Sequence, residues 1–157
     1  MPYELDDIDL SILNLLQQDS RLSNKQLAHQ LHRSPNPIYV RVKRLQDEGY
    51  IKRYTTILNP KKIGRGVTVY TRVKLKEHSQ KSLKTFMSEA VKLHEIMECY
   101  HMAGDPDFIL KIVIGNLDEY NKLLMEKLSN LPDVATMEST FVMSEVKHET
   151  RYGLDKY

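Results

Sequence analysis

The chain holds a single cysteine among 157 residues. Cys99 cannot close an intramolecular disulfide, which excludes a cysteine framework or a zinc knuckle and agrees with a reducing compartment. Also missing is any uninterrupted apolar run near the roughly 20 residues that cross a bilayer. The N-terminus, MPYELDD, is acidic where a signal peptide is basic, so the expected location is cytoplasmic. No nucleophile, base and orienting group can be assembled, and no enzymatic activity is expected. Gly64 and Gly66 precede a strand-like run, the reverse of the order that a phosphate-cradling glycine loop needs. His29 and His32 stand three apart with no acid or third ligand beside them, so no metal site is expected. Cys99 and His101 share a strand face and are expected to pack inside or at a subunit contact.

What is present is enough for one ordinary domain or two small ones, and a hydrophobic content of 41% excludes wholesale disorder. The formal net charge is only +2, but it is unevenly spread. Between Ser20 and Thr56 eight Lys or Arg face two acids, whereas from Glu77 onwards nine face fourteen. A basic first module and an acidic second one are what a chain needs when one part meets phosphates and the other does something else.

The first module reads as three short helices. Asp6 caps the first, with Asp7 and Asp9 in the turn where negative charge suits the helix dipole, and Leu5, Ile8, Ile12, Leu15 and Leu16 form its stripe. Ser23 and Gln26 make a capping-box pair for the second, which buries Leu27, Ala28 and Leu31. His32 and Arg33 turn the chain. The third runs from Pro35 to about Glu48, with Ser34 as N-cap, Pro35 at the first position and Gly49 as left-handed C-cap. Ile38, Val42 and Leu45 share its buried face, and Asn36, Tyr39, Val40, Lys43 and Asp47 point outward. Pro37 falls at the third helical position, where no intrahelical donor is lost; it leaves Ser34 the N–H of Asn36 alone to cap. Tyr50–Leu58, YIKRYTTIL, reads as a strand or wing, and NPKKIGRG as a linker.

The second module opens on Val67, Val69, Val73 and Leu75 alternating with polar residues, a half-buried strand. A helix behind Ser79 follows, with Leu83, Phe86, Met87, Ala90 and Val91 as its stripe. Ile96 to Ala103 reads as a strand, GDPD as a turn, and Phe108 to Ile114 as a strand covered on both faces. Asn116 with Glu119 starts the next helix, striped by Leu117, Tyr120, Leu124, Leu128 and Leu131, and Val134 to Val146 makes the last strand. The order βαββαβ is that of ferredoxin-like folds. An RNA-stacking version of that fold should carry aromatics on a central strand, and KIVIGNL is aliphatic.

Four segments, LDDIDLSILNLLQQDSRLSNKQLA, RVKRLQDEGYIKRY, GDPDFIL and TFVMSEVKHET, in this order and over nearly the whole chain, resemble the Lrp/AsnC, or feast/famine, family of prokaryotic transcriptional regulators. The resemblance implies an α+β chain. It divides into a winged helix-turn-helix DNA-binding domain over 1–58, a linker over 59–66, and a ferredoxin-like (ACT-like) effector-binding and oligomerisation domain over 67–157. It further implies a homo-oligomer, a dimer assembling to higher even states such as an octamer, that binds double-stranded DNA and an amino-acid effector, with no cofactor.

In a helix-turn-helix the start of the second helix enters the major groove while flanking cations hold phosphates. Asn36 and Tyr39 are the candidates for base edges, and Lys43 reaches either a guanine or a phosphate. Lys25, Arg33, Arg41, Arg44 and Arg53 are expected to anchor the backbone, with Ser34 at the helix start; the competing fate of Arg41 and Arg44 is pairing with Asp47 or Glu48 one turn away. By resemblance, Gly104 and Asp107 match the family's effector-contacting turn, Asp105 and Asp107 offer carboxylates to an ammonium group, and Phe141, Met143 and Ser144 on the last strand lie near it. Pro106 stands where the family often has an aromatic residue. The competing reading of GDPD is a tight turn with exposed acids. The rival to a regulator is an architectural protein that wraps DNA and uses its tail only for assembly. A regulatory piece of an enzyme is disfavoured because 157 residues leave no room for a catalytic module.

Overall fold

Three helices, α1 (Asp7–Gln18), α2 (Asn24–Gln30) and α3 (Pro35–Asp47), form the head of the computed structural model, which describes residues 4–154. Their starts follow from local chemistry. The Asp6 carboxylate accepts the N–H groups of Ile8 and Asp9 at 2.9 Å each, and the Asp9 carboxylate accepts the N–H of Asp6 at 3.2 Å, a reciprocal cap. Ser23 and Gln26 cap α2 in the same way. Between α2 and α3, His32 takes a φ of 51°. Its N–H returns to His29 O and that of Arg33 to Ala28 O, closing a Schellman turn with histidine where glycine is usual. Ile12, Leu16, Leu27, Ala28, Ile38, Val42 and Leu45 then close the head's core. Each fully buried aliphatic side chain contributes about 1.5–3 kcal/mol.

One expectation for this part is corrected. Tyr50–Leu58 forms no ladder with any described residue and takes no regular secondary structure. Its β-branched composition suits a strand, but a strand needs a partner, and the head is otherwise helical. The first compact unit runs to Ile57 and also takes in the segment from Lys147. The Gln17 carboxamide accepts the N–H of Tyr152 at 2.7 Å and donates to its carbonyl at 3.2 Å, and Leu154 packs on the head's core.

The second unit spans Leu58–Val146. Strands β1 (Val67–Leu75), β2 (Ile96–His101), β3 (Phe108–Ile114) and β4 (Val134–Phe141) form one sheet in the order β2-β3-β1-β4, antiparallel at every pairing. Helices α4 (Gln80–Ala90) and α5 (Leu117–Glu126) provide the two crossovers. The right-handed preference of such crossovers sends both helices to one face. The core lies there, built on Phe86, Phe108, Leu110, Ile112, Val73 and Leu128. Buried Thr71 is satisfied by Ser139 Oγ at 3.0 Å, in a hydroxyl cluster that Tyr120 completes.

β3 was expected to be covered on both sides, yet Ile109, Lys111 and Val113 on its second face are only half-buried, because both helices lie on the other. Val91 and Leu117 stand 69% and 63% exposed rather than in the helix stripes, since they fall at the end of α4 and the start of α5. β4 stops at Phe141, five residues short of the expected Val146. The presumed linker is part of this unit: Lys61–Ile63 make a short 3-10 turn, Gly64 takes a φ of 71°, and Arg65 pairs with Glu119. Cys99 is half-buried against the core, while His101 stacks on Phe108 with ring centroids 5.0 Å apart but stays exposed. No helix among the described residues is long and apolar enough to cross a membrane.

Candidate nucleic-acid interface and effector turn

α3 buries Ile38, Val42 and Leu45 against the head, so its opposite face carries Asn36, Tyr39, Val40 and Lys43, all exposed. Lys25, Arg33 and Arg53 are exposed as well. Tyr39 and Lys43, with Ser23, Gln46 and Tyr54, line an open cleft of about 520 Å³ where α3 meets the start of α2. The head thus presents a helix face carrying a hydrogen-bonding amide, a phenol and an ammonium, with further cations beside it. Such a face can read base edges and hold phosphates.

Ser34 does not cap α3 with its side chain, contrary to expectation. A capping hydroxyl most often meets the donor of the third helical residue, and here that residue is Pro37; the first, Pro35, lacks a donor too.

Arg41 has partners that neither expectation named. It was expected on the DNA backbone, or paired with Asp47 or Glu48. Instead its Nη1 lies 2.7 Å from Asp6 Oδ2 and 2.9 Å from Asp9 Oδ1, and Arg44 Nη2 lies 3.5 Å from the same Asp9 oxygen. The Asp9 side chain is fully buried, that of Arg41 only 25% exposed. The two arginines flank the buried stripe of α3, and that flank faces the start of α1, so their charge ties the two helices together. The backbone N–H of Asp9 and then the Arg41 guanidinium pull the Asp6 carboxyl down from 3.8 to about 2. Asp6 and Asp9 were legible as caps, but nothing in the sequence marks a pairing 32 to 35 residues away.

In the second unit, Gly104 takes a φ of 123°, a conformation that other residues rarely adopt. Asp107 is not a free carboxylate. One oxygen accepts the N–H of Leu75 at 2.8 Å, the other lies 3.4 Å from His78 Nε2, and its carbonyl accepts the N–H of Met102 at 2.8 Å. Asp107 therefore closes its own turn, with His78 as a neighbour that the sequence had not marked. Asp105 remains 69% exposed, with Lys74 Nζ at 3.8 Å.

Phe141, Met143 and Ser144 were expected near that turn, and within one chain they are not. Phe108, the residue after the turn, pairs with Val73, whereas Phe141 pairs with Val69 on the other edge of β1. Four positions along a strand correspond to about 13 Å. Phe141 sits edge-on to Tyr120 at 5.1 Å, and Met143 is 96% exposed.

Two family models match the chain: a winged helix-turn-helix DNA-binding domain over residues 5–52 and the Lrp/AsnC ligand binding domain over 68–152. Among curated relatives, the leucine-responsive regulatory protein of Klebsiella pneumoniae is 39% identical over 148 residues, covering 94% of this chain and 90% of its own. The proline dehydrogenase transcriptional activator of Rhizobium radiobacter is 38% identical over 144 residues, or 92% of each chain. Among solved structures, a transcriptional regulator of Neisseria meningitidis in complex with L-Met superposes with a TM-score of 0.91 at 28% identity, covering 97% of this chain and 98% of its own. AsnC of Escherichia coli superposes with a TM-score of 0.87 at 26% identity, covering 95% and 99%.

Proposed function

Because the chain belongs to the Lrp/AsnC family of transcriptional regulators, we propose a division of labour among its residues. Asn36 and Tyr39 read base edges in the major groove, and Lys43 reaches a guanine or a phosphate. Lys25, Arg33 and Arg53 hold the backbone, and the Ser34 hydroxyl, free of capping duty, donates to a phosphate at the start of α3. Arg44 supports α3 from its flank, and Arg41 is a positioning residue. The observation that carries this reading is the exposed face of α3, cationic and hydrogen-bonding, on a three-helix head whose full-length relatives are transcriptional regulators. Replacing Lys43 by alanine should reduce the slope of log affinity against log salt by about 0.9 per head engaged. An unchanged slope would mean that another face meets DNA.

The second unit senses an amino acid or related metabolite. The Neisseria relative was solved with L-Met, which supports that ligand class here. Gly104 and Asp105 supply one part of the site and Phe141, Met143 and Ser144 another, with Asp107 shaping the turn between β2 and β3. Since the two parts stand at opposite ends of β1 in one chain, a site using both takes them from different subunits. Oligomerisation therefore belongs to the mechanism. The sheet face that α4 and α5 leave open carries Tyr70 at 40% and Tyr100 at 51% exposure beside Ile109 and Val113, and this apolar surface suits pairing with a second copy. Paired heads would read half-sites about one helical turn or its multiples apart. Effector binding shifts that spacing if it favours one assembly over another. A DNA-binding regulator works in the cytoplasm. Titrating each common amino acid while following oligomer size and DNA affinity tests the effector half, which fails if neither moves.

A further inference from the structure

Arg41 lies beside the proposed reading face, yet its guanidinium is already held by two carboxylates of unlike environment. Asp9 is fully buried and holds it from inside; Asp6, whose side chain is 48% exposed, holds it from the solvent side at 2.7 Å. Asp6 is the solvent-facing partner of a half-buried pair, the side from which another anion can reach Arg41. Both carboxylates meet the same nitrogen, Nη1, which carries two N–H groups, so Arg41 can keep its bond to Asp9 while the solvent-side N–H changes partner. A DNA phosphate is the ligand that would compete with Asp6 for that N–H.

We infer that Asp6 is an affinity-limiting residue of the DNA-binding head: by holding the solvent-side N–H of Arg41 Nη1, with its own negative charge set against an approaching phosphate, it keeps one cation per head out of the sequence-independent contact with the phosphate backbone. This rests on the reading of α3 as the DNA-contacting helix. The chemistry of the site makes the claim separable from folding, because asparagine caps a helix as well as aspartate does. Asp6→Asn retains an oxygen for the N–H groups of Ile8 and Asp9 while removing the charge from Arg41.

The experiment measures binding of the full chain to random-sequence duplex DNA across a salt series, for the wild type, Asp6→Asn, Glu4→Gln and Arg41→Gln. Glu4 is exposed and gives the same change in net charge without touching Arg41. Each phosphate contact contributes about 0.9 to the slope of log affinity against log salt. Asp6→Asn should therefore steepen the slope by about 0.9 per head engaged, so that each added contact loses about threefold in affinity between roughly 50 and 200 mM salt, relative to Glu4→Gln. Arg41→Gln leaves the buried Asp9 short of a partner, so it is read at a temperature where circular dichroism shows the head folded, and there it should keep the wild-type slope. Equal slopes for Asp6→Asn and Glu4→Gln would overturn the inference. So would a shallower slope for Arg41→Gln, which would place Arg41 on a phosphate already in the wild type. Loss of all DNA binding by the wild type would instead overturn the functional reading of the head.

Discussion

Replacing Asp9 by alanine should destabilise the head far more than its place in a surface helix suggests. The side chain is fully buried and meets Arg41 Nη1 at 2.9 Å, Arg44 Nη2 at 3.5 Å and the N–H of Asp6 at 3.2 Å. Breaking a buried ion pair from one side costs about 3–5 kcal/mol, mainly through the charge left behind. Here Arg41 keeps Asp6 at 2.7 Å, so the lower end applies. Asp9→Ala should cost about 3 kcal/mol. Asp9→Asn keeps an acceptor and loses only the charge assistance, about 1–1.5 kcal/mol. For a unit the size of the head, about 3 kcal/mol corresponds to a fall in Tm of about 12–24 °C. Calorimetry on the full chain, with helical circular dichroism as a second probe, reads both variants. A loss below about 1 kcal/mol for the alanine variant is what a solvated pair gives, and would refute the structural role assigned to Asp9 and Arg41.

Three further outcomes follow from the geometry. Ser34→Ala should cost less than about 0.5 kcal/mol, where a working cap costs about 0.5–2 kcal/mol, while DNA affinity falls through the lost hydroxyl; equilibrium denaturation and a binding titration on one sample separate the two effects. The Asp6 carboxyl titrates at about 2 in the fold against 3.8 ordinarily, so the stability it contributes is complete above pH 4 and is lost as the pH falls through 2. Asp6→Asn should lower stability at neutral pH towards the acid value and so flatten the acid limb of the profile in that window. Ending the chain after Val146 removes Leu154 from the head's core and both bonds between Gln17 and Tyr152, and should lower head stability by about 1–3 kcal/mol without disturbing the sheet. Protection of the α1 amides from hydrogen exchange is the readout.

The parts legible in the sequence are those that local chemistry decides. Asp6, Ser23 with Gln26, Pro35 and Gly49 mark helix ends because a cap is a bond over two or three residues. The alternation of Val67 to Leu75 and the βαββαβ order likewise follow from periods of two and 3.6. What escaped depends on partners distant in the chain. YIKRYTTIL has the composition of a strand but no ladder to join. Arg41 has the charge of a phosphate anchor but finds Asp6 and Asp9 first. Asp107 resembles a ligand for an ammonium group, yet the N–H of Leu75 and the imidazole of His78 converge on it. Phe141 is placed near GDPD by resemblance, whereas the register of β1 sets them at opposite ends. In the candidate DNA face, by contrast, exposure of Asn36, Tyr39 and Lys43 follows from helical phase alone, and these residues needed no revision.

The central claim is that the chain reads DNA sequence and that an amino acid modulates the reading. Titrating the full chain against its own promoter and against random DNA of equal length, at one salt concentration, with and without a mixture of the common amino acids, tests both parts at once. The expected result is tighter binding to the promoter and a change in that affinity when the mixture is added. Equal affinity for the two DNAs, unmoved by amino acids, would contradict it and leave an architectural DNA-wrapping protein in its place.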